Sequence, residues 1–173
     1  MWLIVKEIRM TNIITGKAHV YNIDNIDTDR IIPGKYTKPL DTSDLASHVL
    51  EDLDPDFSKI VSVGDVLVAG GNFGCGSSRE QAPIALKAAG VSAVVAKSFA
   101  RIFFRNAINI GLLVVEAPNH EIQHGAQVAI DIESGIVASD GKEYRATKMP
   151  DVMMQILNAG GLVGFLAEHG DYE

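Results

Sequence analysis

With 173 residues, 47% of them apolar, the chain is long enough to bury one core and reads as a single domain spanning 1–173. Its 15 Lys+Arg against 22 Asp+Glu give a net charge of −7, and no basic cluster with interleaved aromatics occurs, which speaks against a nucleic-acid partner. The apolar run at the amino end is too short for a signal-peptide core or a membrane span, so cytoplasmic residence away from membranes is expected; one cysteine excludes an intramolecular disulfide and cannot by itself supply the thiolates of an iron–sulfur cluster.

No internal repeat or low-complexity tract interrupts the chain. Residues 1–10 read as an added or frayed amino-terminal strand, and 13–21 as a hairpin turning at Thr15-Gly16. Residues 24–34 alternate Asp and Asn with isoleucine and end in Pro33-Gly34, the pattern of a structured loop rather than a regular element. Asp24, Asp27 and Asp29 resemble half of a calcium loop, but the glycine and glutamate that would complete it are missing, so Asx turns are the better reading. Residues 35–40 are polar and exposed in character; clustered N-cap residues at 41–44 then open a helix over 45–50, an acidic turn over 51–57 and a tight turn over 62–65.

Val66-Leu67-Val68-Ala69 is a short apolar strand leading into the glycine-dense stretch 70–80. A helix follows over 80–89, ended by Gly90, then a buried strand over 91–96, a helix over 99–110 capped by Ser98 and ended by Gly111, and a strand over 112–116. Strand, helix, strand, helix and strand in this order predict a small, mostly parallel βαβαβ layer. The carboxyl third reads as a β meander with a hairpin at 133–135 and a turn at Asp140-Gly141, followed by an amphipathic helix over 151–158 and an apolar surface over 162–166. Two β layers and one helical layer are expected.

The chemistry concentrates at 70–80. Ser77 with Glu80 and Ser78 with Gln81 form two overlapping capping boxes, so one serine could merely cap the helix. Glycines at 70, 71, 74 and 76 exceed what a cap requires and point to backbone brought close to a ligand. Neither a dinucleotide fingerprint nor a Gly-Lys-Ser/Thr phosphate loop is present. Cys75 has no histidine in an adjacent motif and reads as a small packed residue rather than a nucleophile. Arg101 and Arg105 share one helix face; convergence with Arg79 would make a carboxylate site, and otherwise they are a solvated face.

Asp27-Thr28-Asp29 with Ile31-Ile32-Pro33, Asn72-Phe73-Gly74-Cys75-Gly76-Ser77-Ser78-Arg79-Glu80, and Lys97-Ser98-Phe99-Ala100-Arg101-Ile102-Phe103 with Asn106 and Gly111 together resemble the small subunits of 3-isopropylmalate dehydratases. Homoaconitase small subunits and the mobile carboxyl-terminal domain of aconitase are similar too. The resemblance runs from about 13 to 166.

It implies an α/β fold, a three-layer β/β/α swivelling domain of the aconitase carboxyl-terminal type. It further implies a hydro-lyase of leucine biosynthesis, active only with a large subunit that carries a [4Fe–4S] cluster, as a heterodimer or heterotetramer with scope for self-association. This chain itself would bind no metal. By the same resemblance Ser77 is the general base, Arg79 grips a carboxylate of a small 2-hydroxy acid, Thr28 and Asp29 support the site, and Ser78 either assists at the substrate or caps the helix. The segment Lys35, Tyr36, Thr37 and Lys38 would set specificity; Lys38 facing inward would favour a tricarboxylic substrate, and facing outward it would be a solvated lysine. Homoaconitase, a 2,3-dimethylmalate-type dehydratase and a stand-alone organic-acid-binding module are the alternatives.

Overall fold

The computed structural model describes residues 12–36 and 41–170; the expected amino-terminal strand lies outside them, as do Thr37 and Lys38. The centre is a parallel sheet of β2 (Val66–Ala69), β3 (Ala93–Ala96) and β4 (Leu113–Glu116), joined by β1 (Ile13–Tyr21) at its inner edge. β2 and β3 are buried along their whole length, which is why they read as unbroken apolar runs rather than as an alternation. Helices α4 (Gln81–Ala88) and α5 (Arg101–Asn109) make the crossovers, and Gly90 and Gly111 follow them with φ of 105° and 79°.

The hairpin expected at Thr15-Gly16 does not form. β1 is one nine-residue strand that changes partner midway: Ile13–Lys17 pairs antiparallel with β5 (Gln127–Asp131), and Ala18–Tyr21 pairs parallel with β2. Gly16 sits inside the strand because the backbone of the turn before β2 presses on it; a Cβ there would lie 2.1 Å from the Gly64 carbonyl oxygen. A Thr-Gly pair thus marks a close approach, not a reversal.

Through β1 the strands form one sheet in the order β4-β3-β2-β1-β5-β6-β7, with β6 (Ile136–Ser139) and β7 (Lys142–Arg145) completing the expected antiparallel meander. Asp140 and Gly141, with φ of 51° and 74°, give the turn between β6 and β7 the mirror-image twist that hairpins favour. The sheet curls so that its two halves enclose a core: Ala18, Val66, Val68, Val95 and Val115 from the parallel half pack with Val128, Ile130 and Val137 from the meander. The alternate side chains, Leu67, Ala69, Val94, Ala96 and Val114, face the helices and pack with Leu86, Phe103 and Ile108. The β/β/α layering is therefore present, its two β layers being halves of one continuous sheet.

Smaller elements depart from the sequence reading. The segment read as an irregular loop contains a one-turn helix α1 (Thr28–Ile31), whose N-cap Asp27 accepts the Arg30 N–H at 2.9 Å. Helix α2 (Thr42–His48) starts three residues before the expected 45, since Asp41 is the capping residue, and it ends before the buried Leu50, which has φ 57°. A further one-turn helix, α3 (Phe57–Ile60), is held by the fully buried Phe57. α6 (Asp151–Asn158) is as expected, whereas the apolar surface after it is a helix, α7 (Leu162–His169), with Leu162, Phe165 and Leu166 directed at the core at helical spacing. Among the described residues no helix is long and apolar enough to cross a membrane.

Candidate functional site

The three sequence motifs follow β1, β2 and β3, so parallel pairing delivers them to the same edge of the sheet, where ligands bind in open α/β folds. The glycine stretch runs between the other two loops like a middle strand. On one side Asn25 N–H donates to Gly71 O at 2.9 Å, Gly74 N–H to Ile26 O at 2.8 Å and Thr28 N–H to Cys75 O at 2.9 Å. On the other, Lys97 N–H donates to Gly70 O at 3.1 Å, Phe73 N–H to Ser98 O at 3.1 Å and Ala100 N–H to Phe73 O at 3.0 Å. Phe99 and Phe103 stack and Phe73 meets both edge-on, and a Cβ on Gly74, at φ 81°, would fall 2.2 Å from Phe103 Cγ. Gly74 lets the backbone cross the aromatic cluster, while a Cβ on Gly70 would press on the Asp24 carboxylate and the Ile23 backbone.

Ser98 is not a helix cap. Its Oγ accepts the Asn72 N–H at 2.7 Å, and α5 begins at Arg101 with Ala100 in the cap position. Nor does either serine of the central motif cap α4, whose cap position is Glu80 without a side-chain bond. Both expected capping boxes are absent, and Ser77 and Ser78 are exposed. The N–H groups of Gly76, Ser77, Ser78 and Arg79 have no acceptor among the described residues, which suits them to an anion.

Thr28, buried on α1, donates its hydroxyl to Ser77 O at 2.8 Å and so fixes the peptide that carries Ser77. Arg79 Nη1 pairs with the Asp29 carboxylate and donates to Ile32 O at 3.2 Å; the arginine side chain is 19% exposed and the aspartate 61%. A cleft of about 380 Å³ brings together Thr28, Ser77, Ser78, Arg79, Arg101 and Asn106. Only Arg101 of the helical arginine pair reaches it; Arg105 lines a neighbouring groove with Met149 and Met153. The i,i+4 spacing flagged both, and the sequence held no signal to separate them.

Lys35 and Tyr36 lie on a 3₁₀ turn, Gly34–Tyr36, and face α2: Tyr36 stacks on His48 with ring centroids 3.8 Å apart, and Lys35 Nζ is 3.8 Å from Glu51. Burial and the nearby Asp27 carboxylate push the Cys75 thiol up, so it stays protonated at neutral pH. The two buried histidines serve the scaffold. His19 Nε2 lies 2.7 Å from the Asp65 carboxylate, and His120, 4% exposed, donates through Nε2 to Ala69 O at 2.8 Å while burial pushes its pKa down. Among the described residues no three His, Cys, Asp or Glu side chains are grouped to hold a metal ion.

Residues 61–120, from the turn before β2 to the loop after β4, match the family model of the aconitase C-terminal domain. A 3-isopropylmalate dehydratase small subunit from Caldicellulosiruptor bescii is 56% identical over 158 residues, covering 89% of this chain and 95% of the relative. The corresponding small subunit from Aquifex aeolicus is 55% identical over 150 residues, covering 84% and 89%. The crystal structure of 3-isopropylmalate dehydratase from Methanocaldococcus jannaschii superposes with a TM-score of 0.86 at 49% identity, over 90% of this chain and 94% of that one.

Proposed function

The chain belongs to the family of 3-isopropylmalate dehydratase small subunits, and from that premise we propose that it joins a large subunit to interconvert 2- and 3-isopropylmalate by dehydration and rehydration, a step of leucine biosynthesis. The observation that carries the reading is the cleft in which the uncapped Ser77 lies beside Arg79 and Arg101. Ser77 Oγ, as the alkoxide, takes the proton from the substrate carbon while the hydroxyl leaves the neighbouring carbon with a proton supplied by an acid group outside this chain, so that water forms. In the reverse direction water returns the hydroxyl and Ser77 the carbon-bound proton. An alkoxide is a poor species in water; the free N–H groups of 76–79 and the two guanidinium charges are the groups that stabilise it here. Arg79 holds a substrate carboxylate from its seat on Asp29, Thr28 keeps the Ser77 peptide in place, and Ser78 offers a second hydroxyl to the substrate.

The family resemblance also implies a [4Fe–4S] cluster, which would act as the Lewis acid on the substrate hydroxyl. This chain does not fit as its holder: such clusters take three or four thiolates, and Cys75 is one thiol, held protonated. We assign the cluster to the large subunit and the assembled enzyme to the cytoplasm. Specificity is assigned to the segment around Lys35, Tyr36, Thr37 and Lys38, with Lys38 as the side chain that would admit an extra carboxylate.

Reconstitution with an iron–sulfur large subunit tests the proposal, with isopropylmalate, homocitrate-type and dimethylmalate substrates in parallel. Isopropylmalate turned over fastest, only by the mixture, is the expected result. Preference for another substrate reassigns the enzyme within the family, and acid binding without turnover leaves a stand-alone binding module.

A further inference from the structure

We infer that Tyr36, His48 and Glu51 form a clamp that positions Arg79, making His48 a positioning residue for a site it does not touch. The inference rests on the reading of Arg79 as the carboxylate-binding group.

Arg79 is seated entirely by the segment that includes α1 and the 3₁₀ turn. Its Nη1 engages the Asp29 carboxylate and the Ile32 carbonyl. Gly34 closes the other side so tightly that a Cβ there would lie 3.0 Å from Nη2 and 3.4 Å from Cζ. The backbone that seats the guanidinium, through the Ile32 carbonyl and the side-chain-free Gly34, is thus the backbone that leads into the turn, so the position of the turn sets the position of Arg79.

The turn has two anchors. Before it, Ile31, Ile32 and Pro33 are buried, and Tyr36 N–H closes the turn on Pro33 O at 2.9 Å. After it, the ring of Tyr36 lies flat on that of His48, 3.8 Å between centroids and 7° from parallel. His48 Nδ1 is 2.8 Å from Glu51 Oε2, and Lys35 Nζ sits 5.0 Å over the Tyr36 ring while reaching Glu51 Oε1. Burial works against the Glu51 charge, yet His48, Tyr36 and Lys35 together hold its carboxyl below the ordinary glutamate value, so it is ionised at neutral pH. His48 itself stands on α2, which is rooted in the core by Leu45 and followed by the buried Val49, and Leu50 N–H donates to Ile31 O at 2.8 Å, tying the end of α2 back to α1. Substrate-binding residues gain from being held by a supporting layer of this kind, because a guanidinium misplaced by an ångström loses its bidentate grip.

The test uses the reconstituted enzyme and, separately, the full-length chain alone. In the enzyme, His48→Ala and Tyr36→Ala are expected to raise KM about 3- to 10-fold, the size of one stacked aromatic pair, with kcat within about 2-fold of wild type. His48→Phe keeps the stack and should restore most of the loss. In the chain alone, the Arg79 Nε–H resonance, identified by its disappearance in Arg79→Lys, should shift or broaden in His48→Ala and return in His48→Phe. An unchanged KM in His48→Ala, or an unchanged resonance, overturns the clamp, as does a loss confined to kcat. If no substrate is turned over by any wild-type mixture, the functional reading fails while the resonance still decides the clamp.

Discussion

Ser77 and Arg79 are held by different things, and this separates the consequences of removing each. The Ser77 hydroxyl has no protein partner among the described residues, so Ser77→Ala should leave unfolding free energy within about 0.5 kcal/mol of wild type by urea denaturation. Turnover should fall at least ~100-fold, the lower range for loss of an acid–base group. Arg79→Lys removes the guanidinium whose Nη1 engages both Asp29 and Ile32 O, and with it the planar fork offered to a substrate carboxylate, so steady-state kinetics should show a raised KM as its main effect. Its stability cost should stay under about 1 kcal/mol, since Asp29 is 61% exposed and solvent screens the pair. At this scale much was readable from the residues: the excess of glycine over capping need pointed away from a cap, and burial with the Asp27 carboxylate raises the Cys75 thiol's pKa, in keeping with its missing histidine. What the sequence could not carry was which long side chains converge, because Arg101 and Arg105 differ only in where α5 lies.

Among the elements, β1 decides the architecture, since one strand must pair in opposite senses along its length. Gly16 is its weak point. Gly16→Ala should cost about 3 kcal/mol or more, because the added methyl meets backbone that cannot swing aside. Gly64→Ala, a few ångströms away, has open space and suffers only from its φ of 96°, so about 1 kcal/mol is expected; urea denaturation of the two variants measures the contrast. The strands β2 to β7 and helices α4 and α6 were legible because burial on both faces, pleat alternation and terminal glycines are local signals. The partner switch at Gly16, the role of Ser98 and the one-turn helices α1 and α3 were not, because each is imposed by a segment distant in sequence.

For the whole molecule, acid sensitivity follows from the buried groups. His120 has its folded pKa pushed below the ordinary 6.5, so the unfolded chain takes up the proton first. Its contribution to stability is complete above pH 6.5 and is lost as pH falls from there toward the folded value. Between pH 7 and 5 the stability measured in urea should drop with a slope of up to about 1.4 kcal/mol per pH unit, and His120→Gln should flatten it. Asp65 acts lower: despite its burial, His19 and the Ser62 N–H hold its carboxyl down, so its contribution persists until pH falls below the ordinary 3.8. Layering was legible at this scale from element order alone, whereas the need for a partner came only from family motifs, since nothing in composition distinguishes half a site from a whole one. The central claim is that this chain supplies the base to a cleft completed by another subunit. Initial rates of isopropylmalate dehydration should therefore be compared for this chain, the large subunit, their mixture, and the mixture made with Ser77→Ala. Activity in the wild-type mixture alone, reduced at least ~100-fold in the variant, is what the account predicts; a rate from this chain by itself, or a variant as fast as wild type, contradicts it.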